Sequence, residues 1–177
     1  DLVRLARIPS IAFPGVPPGP VHEAHDLVVE LLAGAGVSRI EALELPDTPP
    51  VILGEIPAPD GAPTVLLYAH YDVQPPGDDD LWQTLPFEPT ERDGAIYARG
   101  IADDKANIVA HVGALRAYDG LPPVGVKIVI EGREEYGSPF DTYPPEDPDR
   151  FRADVIVVGD AGNIRPGVAT LTVALRG

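Results

Sequence analysis

Thr64-Val-Leu-Leu-Tyr-Ala-His70, followed by Tyr71-Asp72, decides how the rest of this chain is organised. From Val65 to Ala69 it is apolar without alternation, the pattern of a central strand buried on both faces of a sheet. Such a strand delivers His70 and Asp72 at its carboxyl end. Val126–Ile130, with Lys127 inside it, is again a buried-strand run and delivers Glu131, Glu134 and Glu135, and Val155–Val158 reads as another core strand delivering Asp160. Asp103 and Asp104 follow a turn at Gly100. Open α/β sheets bind ligands outside the carboxyl ends of their strands, where side chains from distant segments meet. One imidazole cannot neutralise so many carboxylates, so if they converge, bound cations must supply the positive charge. Zinc, manganese or magnesium suits such an oxygen-rich set.

The remaining segments fit around these strands. A first helix over residues 2–7 ends before Pro9, and a Pro/Gly-rich loop spans residues 14–20. Val21–Ala33 is amphipathic, with Leu27, Val28, Leu31 and Leu32 at helical spacing, and Gly34 and Gly36 end it. Val37–Leu43 and Val51–Ile56 read as strands, and Ala95–Ala98 as a short one. Residues 105–118 look helical, with Ile108, Val109, Val112 and Leu115 on one face. Residues 137–150 form a Pro- and acid-rich surface excursion, and residues 168–175 a last strand. The interleaving predicts an α/β fold: a mixed central sheet flanked by helices, in a single domain over residues 1–177.

Composition narrows the function. The 177 residues carry a formal net charge of −15 with only two lysines, Lys105 and Lys127, which argues against nucleic acid as a partner. No run approaches the roughly 18 apolar residues of a membrane span, and no signal-like stretch opens the chain, so a cytoplasmic protein without membrane contact is expected. With no cysteine, any metal must be held by His, Asp or Glu. No GxSxG, Walker loop or GxGxxG is present, so serine-hydrolase, NTPase and dinucleotide readings have no support.

Each candidate has a plainer alternative. In His70-Tyr71-Asp72 an extended backbone puts both polar side chains on one side, where the carboxylate can orient a metal-binding ring; a hydrogen-bonded strand-end histidine is the alternative. Asp103-Asp104-Lys105 precedes a helix, so N-capping competes with metal bridging. Glu134 and Glu135 point in different directions and can divide labour, one binding metal and one accepting a proton; surface ion pairs with Arg133 or Arg99 compete. Asp160 after Gly159 could be a turn residue. His22 and His25, spaced i, i+3, read as helix-surface residues, and His111 as a packing residue.

His70-Tyr-Asp72-Val-Gln-Pro75, Arg99-Gly-Ile-Ala-Asp103-Asp104-Lys105 and Glu131-Gly-Arg-Glu134-Glu135-Tyr-Gly-Ser138 resemble three signature blocks of one family. It is the co-catalytic zinc metallopeptidase family of carnosine dipeptidases, succinyl-diaminopimelate desuccinylases, acetylornithine deacetylases and aminoacylases, with the dipeptidase branch most similar. Trp82–Pro89 and Asp160–Gly177 also resemble family segments, so the likeness covers almost the whole chain. The resemblance implies a zinc-exopeptidase-like α/β sandwich that hydrolyses dipeptides or N-acyl amino acids with two divalent ions, zinc first and manganese or cobalt as substitutes. It implies metal ligation by His70 and Asp160 at one ion, bridging by Asp103, ligation of the second ion by Glu135, Glu134 as general base, Asp72 orienting His70, and a cis bond between Asp103 and Asp104. It also implies an inserted lid that mediates homodimers and a further ligand histidine beyond it. The last histidine here is His111, so the chain is expected to be the N-terminal portion of a catalytic domain, with the lid absent and the second site incomplete.

Overall fold

Apolar alternation along the strands separates two packing faces on one mixed sheet. The structure is a computed structural model that describes residues 1–165, 167–168 and 170–171. Its helices are α1 (Leu2–Ala6), α2 (Gly19–Ala33) and α3 (Ala106–Ala117). Its strands are β1 (Arg39–Leu43), β2 (Val51–Ile56), β3 (Thr64–His70), β4 (Thr90–Arg92), β5 (Ala95–Tyr97), β6 (Gly125–Glu131) and β7 (Val155–Val158). Five of them form one sheet in the order β1-β2-β6-β3-β7, and β4 and β5 make a separate hairpin. β3 pairs in parallel with both β6 and β7, whereas β1–β2 and β2–β6 are antiparallel. The expected α/β fold with a mixed central sheet is the fold observed.

On one face, Ile52, Ile56, Ala69, Val126, Ile128 and Ile130 meet the helices through Leu5, Val28, Leu31, Ile108 and Val112. The residues between them, Val51, Leu53, Leu66 and Val129, point the other way and pack on Phe140, with Tyr143 and Phe151 beside it. The acid-rich excursion therefore folds back over the sheet, because its three aromatic rings stack edge to face and cover apolar strand residues.

Two expectations need correction. Val155–Val158 forms β7 as expected, but among the described residues it pairs with β3 alone and stands at the sheet edge, not in the core, with its four residues 39–62% exposed. Of the last strand expected over residues 168–175, Val168 makes only an isolated bridge to Arg165, Thr170 and Leu171 lie outside any strand, and residues 169 and 172–175 fall outside the described residues. Among the described residues no helix is long and apolar enough to cross a membrane.

The sheet connectivity fixes the site. From β3 the chain crosses through α3 to β6 on one side, then returns to β7 on the other, so the direction of winding reverses at β3. The crevice at the carboxyl end of that strand is where open α/β sheets bind ligands. Tyr71 anchors the turn leaving β3: it is wholly buried, and its hydroxyl donates to the Pro50 carbonyl at 2.6 Å. Gly132 lies flat against this ring, where a Cβ would come within 2.3 Å of it. Gly132→Ala should therefore cost about 1–3 kcal/mol of stability through overpacking. Urea unfolding of wild type and variant measures the loss.

Candidate metal centre and active site

His70 ends β3 fully buried, with both ring nitrogens engaged. Nδ1 faces Asp72, 3.1 Å from its main-chain oxygen and 3.3 Å from Oδ1. Nε2 points into the crevice, 3.0 Å from Asp103 Oδ1, 3.8 Å from Asp160 Oδ2 and 3.9 Å from Glu134 Oε2. The strand-end histidine, the turn before α3 and the segment after β7 are thus brought together. His70, Asp103 and Asp160 each offer a ligand atom, all within 4.8 Å of one another.

Asp72 is the hub behind the ring. Its buried carboxylate accepts the main-chain N–H of Glu134 at 3.0 Å and of Glu135 at 3.2 Å, fixing the loop after β6 against the end of β3. Glu134 consequently faces the crevice, half-buried. Glu135 stands outside the trio: its carboxylate is turned to Gln74, which donates to it from the main chain at 3.2 Å and from Nε2 at 2.7 Å. Neither glutamate pairs with Arg133 or Arg99 among the described residues. Arg133 lies over Tyr136 and Arg99 over Trp82.

The Asp103–Asp104 peptide bond is cis, and the two side chains part company. Asp103 is exposed to the crevice, whereas Asp104 is buried and accepts the His70 main-chain N–H at 3.0 Å. Asn107 donates to the other Asp104 oxygen from the first turn of α3. A Cβ on Gly159 would sit 2.9 Å from the Asn107 side chain, so the glycine lets the strand end carrying Asp160 approach α3. Lys105 is also fully buried, its ammonium donating to the Leu5 and Ile8 carbonyls at 2.9 and 2.7 Å. It ties the metal-facing turn to the open end of α1.

Sequence reasoning did not single out Gln74, Asn107 or Lys105 as site residues. Gln74 and Lys105 both sit inside the quoted blocks, and Lys105 is one of only two lysines. His111 is buried as expected, Nε2 at 3.0 Å from the Tyr68 carbonyl. His22 is on the helix surface, but His25 is not: only 16% of its side chain is exposed, and its ring meets Tyr71 at 6.0 Å.

Electrostatics follow from burial. Burial disfavours the His70 imidazolium, but hydrogen bonding and attraction to Asp72, with Asp104 and Glu134, outweigh it and push the pKa up to about 10. Burial raises Asp104 to about 6, and raises Glu134 above the usual carboxylate range. Burial also lowers Lys105 to about 7.

The residues fit a divalent ion. With metal–ligand bonds of about 2.0–2.2 Å, the ligand atoms of a tetrahedral ion lie roughly 3.3–3.5 Å apart. The observed separations of His70 Nε2 from Asp103 and Asp160, 3.0 and 3.8 Å, bracket that value.

The model of peptidase family M20/M25/M40 matches residues 66–172. The chain belongs to this peptidase family. It is 42% identical over 148 residues to a cysteinylglycine-S-conjugate dipeptidase of Corynebacterium striatum, covering 81% of this chain and 32% of that protein. Over 78 residues it is 48% identical to a succinyl-diaminopimelate desuccinylase of Bordetella pertussis, covering 42% of this chain and 21% of the relative. The crystal structure of human carnosine dipeptidase 1 superposes with a TM-score of 0.83 at 32% identity, over 90% of this chain and 37% of the other. The chain thus spans about a third of the length of the dipeptidases it matches.

Asp72 is the group whose removal should register at the His70 ring. In metal-free protein, Asp72→Asn is expected to lower the His70 pKa by about 1–3 units from its raised value, read from the ring resonances by NMR. Overall stability is the poorer readout. The contribution of His70 is full below pH 6.5 and lost as pH rises through about 10, while the penalty for charging buried Lys105 disappears between about 7 and 10.5, so the two slopes oppose.

Proposed function

We propose that the protein is a metal-dependent hydrolase of peptide bonds in dipeptides, and that this chain carries one half of its catalytic machinery. The observation that supports this most is the buried His70 aimed at Asp103 and Asp160, with Glu134 Oε2 3.9 Å from the same nitrogen. In this reading His70 and Asp160 would hold one divalent ion, Asp103 would be shared with a second, and Glu135 would be a ligand of the second. Zinc suits a mixed nitrogen and carboxylate set best, with manganese or cobalt as substitutes. Bound there, the ions supply Lewis-acid polarisation of the scissile carbonyl and lower the pKa of a water toward about 7.

The chain's own residues then divide the work. Asp72 accepts from His70 Nδ1, which fixes the tautomer that leaves Nε2 as the ligand atom. Glu134 removes the proton from the attacking water and delivers it to the departing amine. Partial burial raises its pKa towards the working pH, which favours both halves of that transfer. Asp104 takes no part in the chemistry and holds the His70 main chain. The substrate is a small peptide, the compartment is the cytoplasm, neither nucleic acid nor membrane is a partner, and a homodimer is the expected assembly. N-acyl amino acids are the second reading, supported by the identity to the desuccinylase.

Hydrolysis of a panel of dipeptides and acylated amino acids by the full-length protein tests the assignment. Glu134→Gln should lower kcat by about 10²–10⁴-fold while zinc stoichiometry stays unchanged. Equal rates in wild type and variant would remove Glu134 from its role. Exhaustive dialysis against chelator should abolish activity, and added zinc should restore it.

A further inference from the structure

Glu135 is held at every polar group it has. Its main-chain N–H goes to Asp72 Oδ2 at 3.2 Å. Its main-chain oxygen accepts from Gln74 Nε2 at 3.0 Å, Oε2 from the same nitrogen at 2.7 Å, and Oε1 from the Gln74 main-chain N–H at 3.2 Å. A glutamine amide carries two N–H donors, and both are spent on this one residue. The opposite amide orientation would set the Gln74 carbonyl oxygen against two acceptors, so the amide has only one favourable placement.

We propose that Gln74 is a positioning residue that locks Glu135 in the orientation from which it ligates the second ion; this rests on the reading of Glu135 as a metal ligand. Two features make the clamp suited to that task. Each carboxylate oxygen accepts one hydrogen bond and has two lone-pair sites, so each keeps one for a cation. The clamp also links the Glu135 carboxylate to the Glu135 main chain through a single amide, so the Glu135 side chain cannot change rotamer without breaking its bonds from Gln74 Nε2 and from the Gln74 main-chain N–H. Gln74 follows Asp72 by two residues, so the segment leaving β3 orients both His70 and Glu135, one from Asp72 and one from Gln74. Ordered partners behind a ligand raise metal affinity by removing conformations that cannot bind, and their loss typically weakens binding about 10–100-fold.

Zinc titration calorimetry of the full-length protein, with wild type, Gln74→Leu, Gln74→Asn and Glu135→Gln, tests the inference. Gln74→Leu removes the amide donors and keeps the main-chain N–H. It should weaken, by about 10–100-fold, the same equivalent that Glu135→Gln abolishes, and leave the other equivalent at wild-type affinity. Gln74→Asn, with a donor at shorter reach, should fall between and serves where the leucine variant does not fold. If Glu135→Gln loses one equivalent and the Gln74 variants bind as wild type, Gln74 has no positioning role. If Glu135→Gln leaves zinc binding intact, the ligand reading fails and the inference fails with it. Parallel weakening of both equivalents by Gln74→Leu would mean general loosening of the fold, and would also overturn the proposal.

Discussion

The Asp72 carboxylate is the constraint on which the site depends. It is fully buried, two residues beyond the end of β3, and satisfies two main-chain N–H groups of the loop after β6 while lying against His70 Nδ1. A buried carboxylate is costly unless paired and hydrogen-bonded, so its three partners are required as much as they are provided. This reciprocity sets the geometry. The His70 ring cannot turn and the Glu134–Glu135 loop cannot lift without leaving the same charge unsatisfied. The sheet brings β3 and β6 side by side; Asp72 converts that proximity into a fixed relation between a histidine and two glutamates.

The other half of the crevice is built by close approach. Asp104 holds the His70 main chain from the turn before α3, and Asn107 on α3 holds Asp104. Asn107 also fills the space a side chain at Gly159 would occupy, one residue before Asp160. Three segments far apart in sequence are therefore linked through one acid, one amide and one missing Cβ. Lys105 extends the chain of contacts to the Leu5 carbonyl in α1 and the Ile8 carbonyl just beyond that helix. The N-terminal segment is thus part of the scaffold of the site: Ser10 Oγ donates to the Tyr71 carbonyl at 2.6 Å.

Much of this was legible because burial on two faces leaves a strong imprint. Val65–Ala69 is a continuous apolar run and Val126–Ile130 is broken only by Lys127, and the polar residues that follow them stand out against them. What was not legible depends on pairing. Val155–Val158 carries the same signature as β3, yet only its neighbours decide whether a strand is central or an edge. β4, Thr-Glu-Arg, is polar and three residues long, with nothing to set it apart from a loop before it pairs with β5. His25 looked like a surface residue because its helix is amphipathic, but i, i+3 spacing cannot show that Tyr71 reaches across from the end of β3 to meet it. Gln74 was visible within its block, but an amide reveals its role only once its partner's four polar groups are placed around it.

Charge balance explains why this arrangement holds together before any cation arrives. Asp72, Asp104 and Glu134 lie around one imidazole, and hydrogen bonding and attraction to Asp72, with Asp104 and Glu134, outweigh the burial penalty on its positive form. Nε2 of this ring lies 3.0 Å from Asp103 Oδ1 on the side that faces the carboxylates. In the proposed reading, a metal ion and a proton would compete for the same lone pair on Nε2, so loading the site would release any proton held there. Asp72 acts on both sides of this exchange, since hydrogen bonding to Nδ1 favours the imidazolium and also increases the basicity of the ring as a ligand.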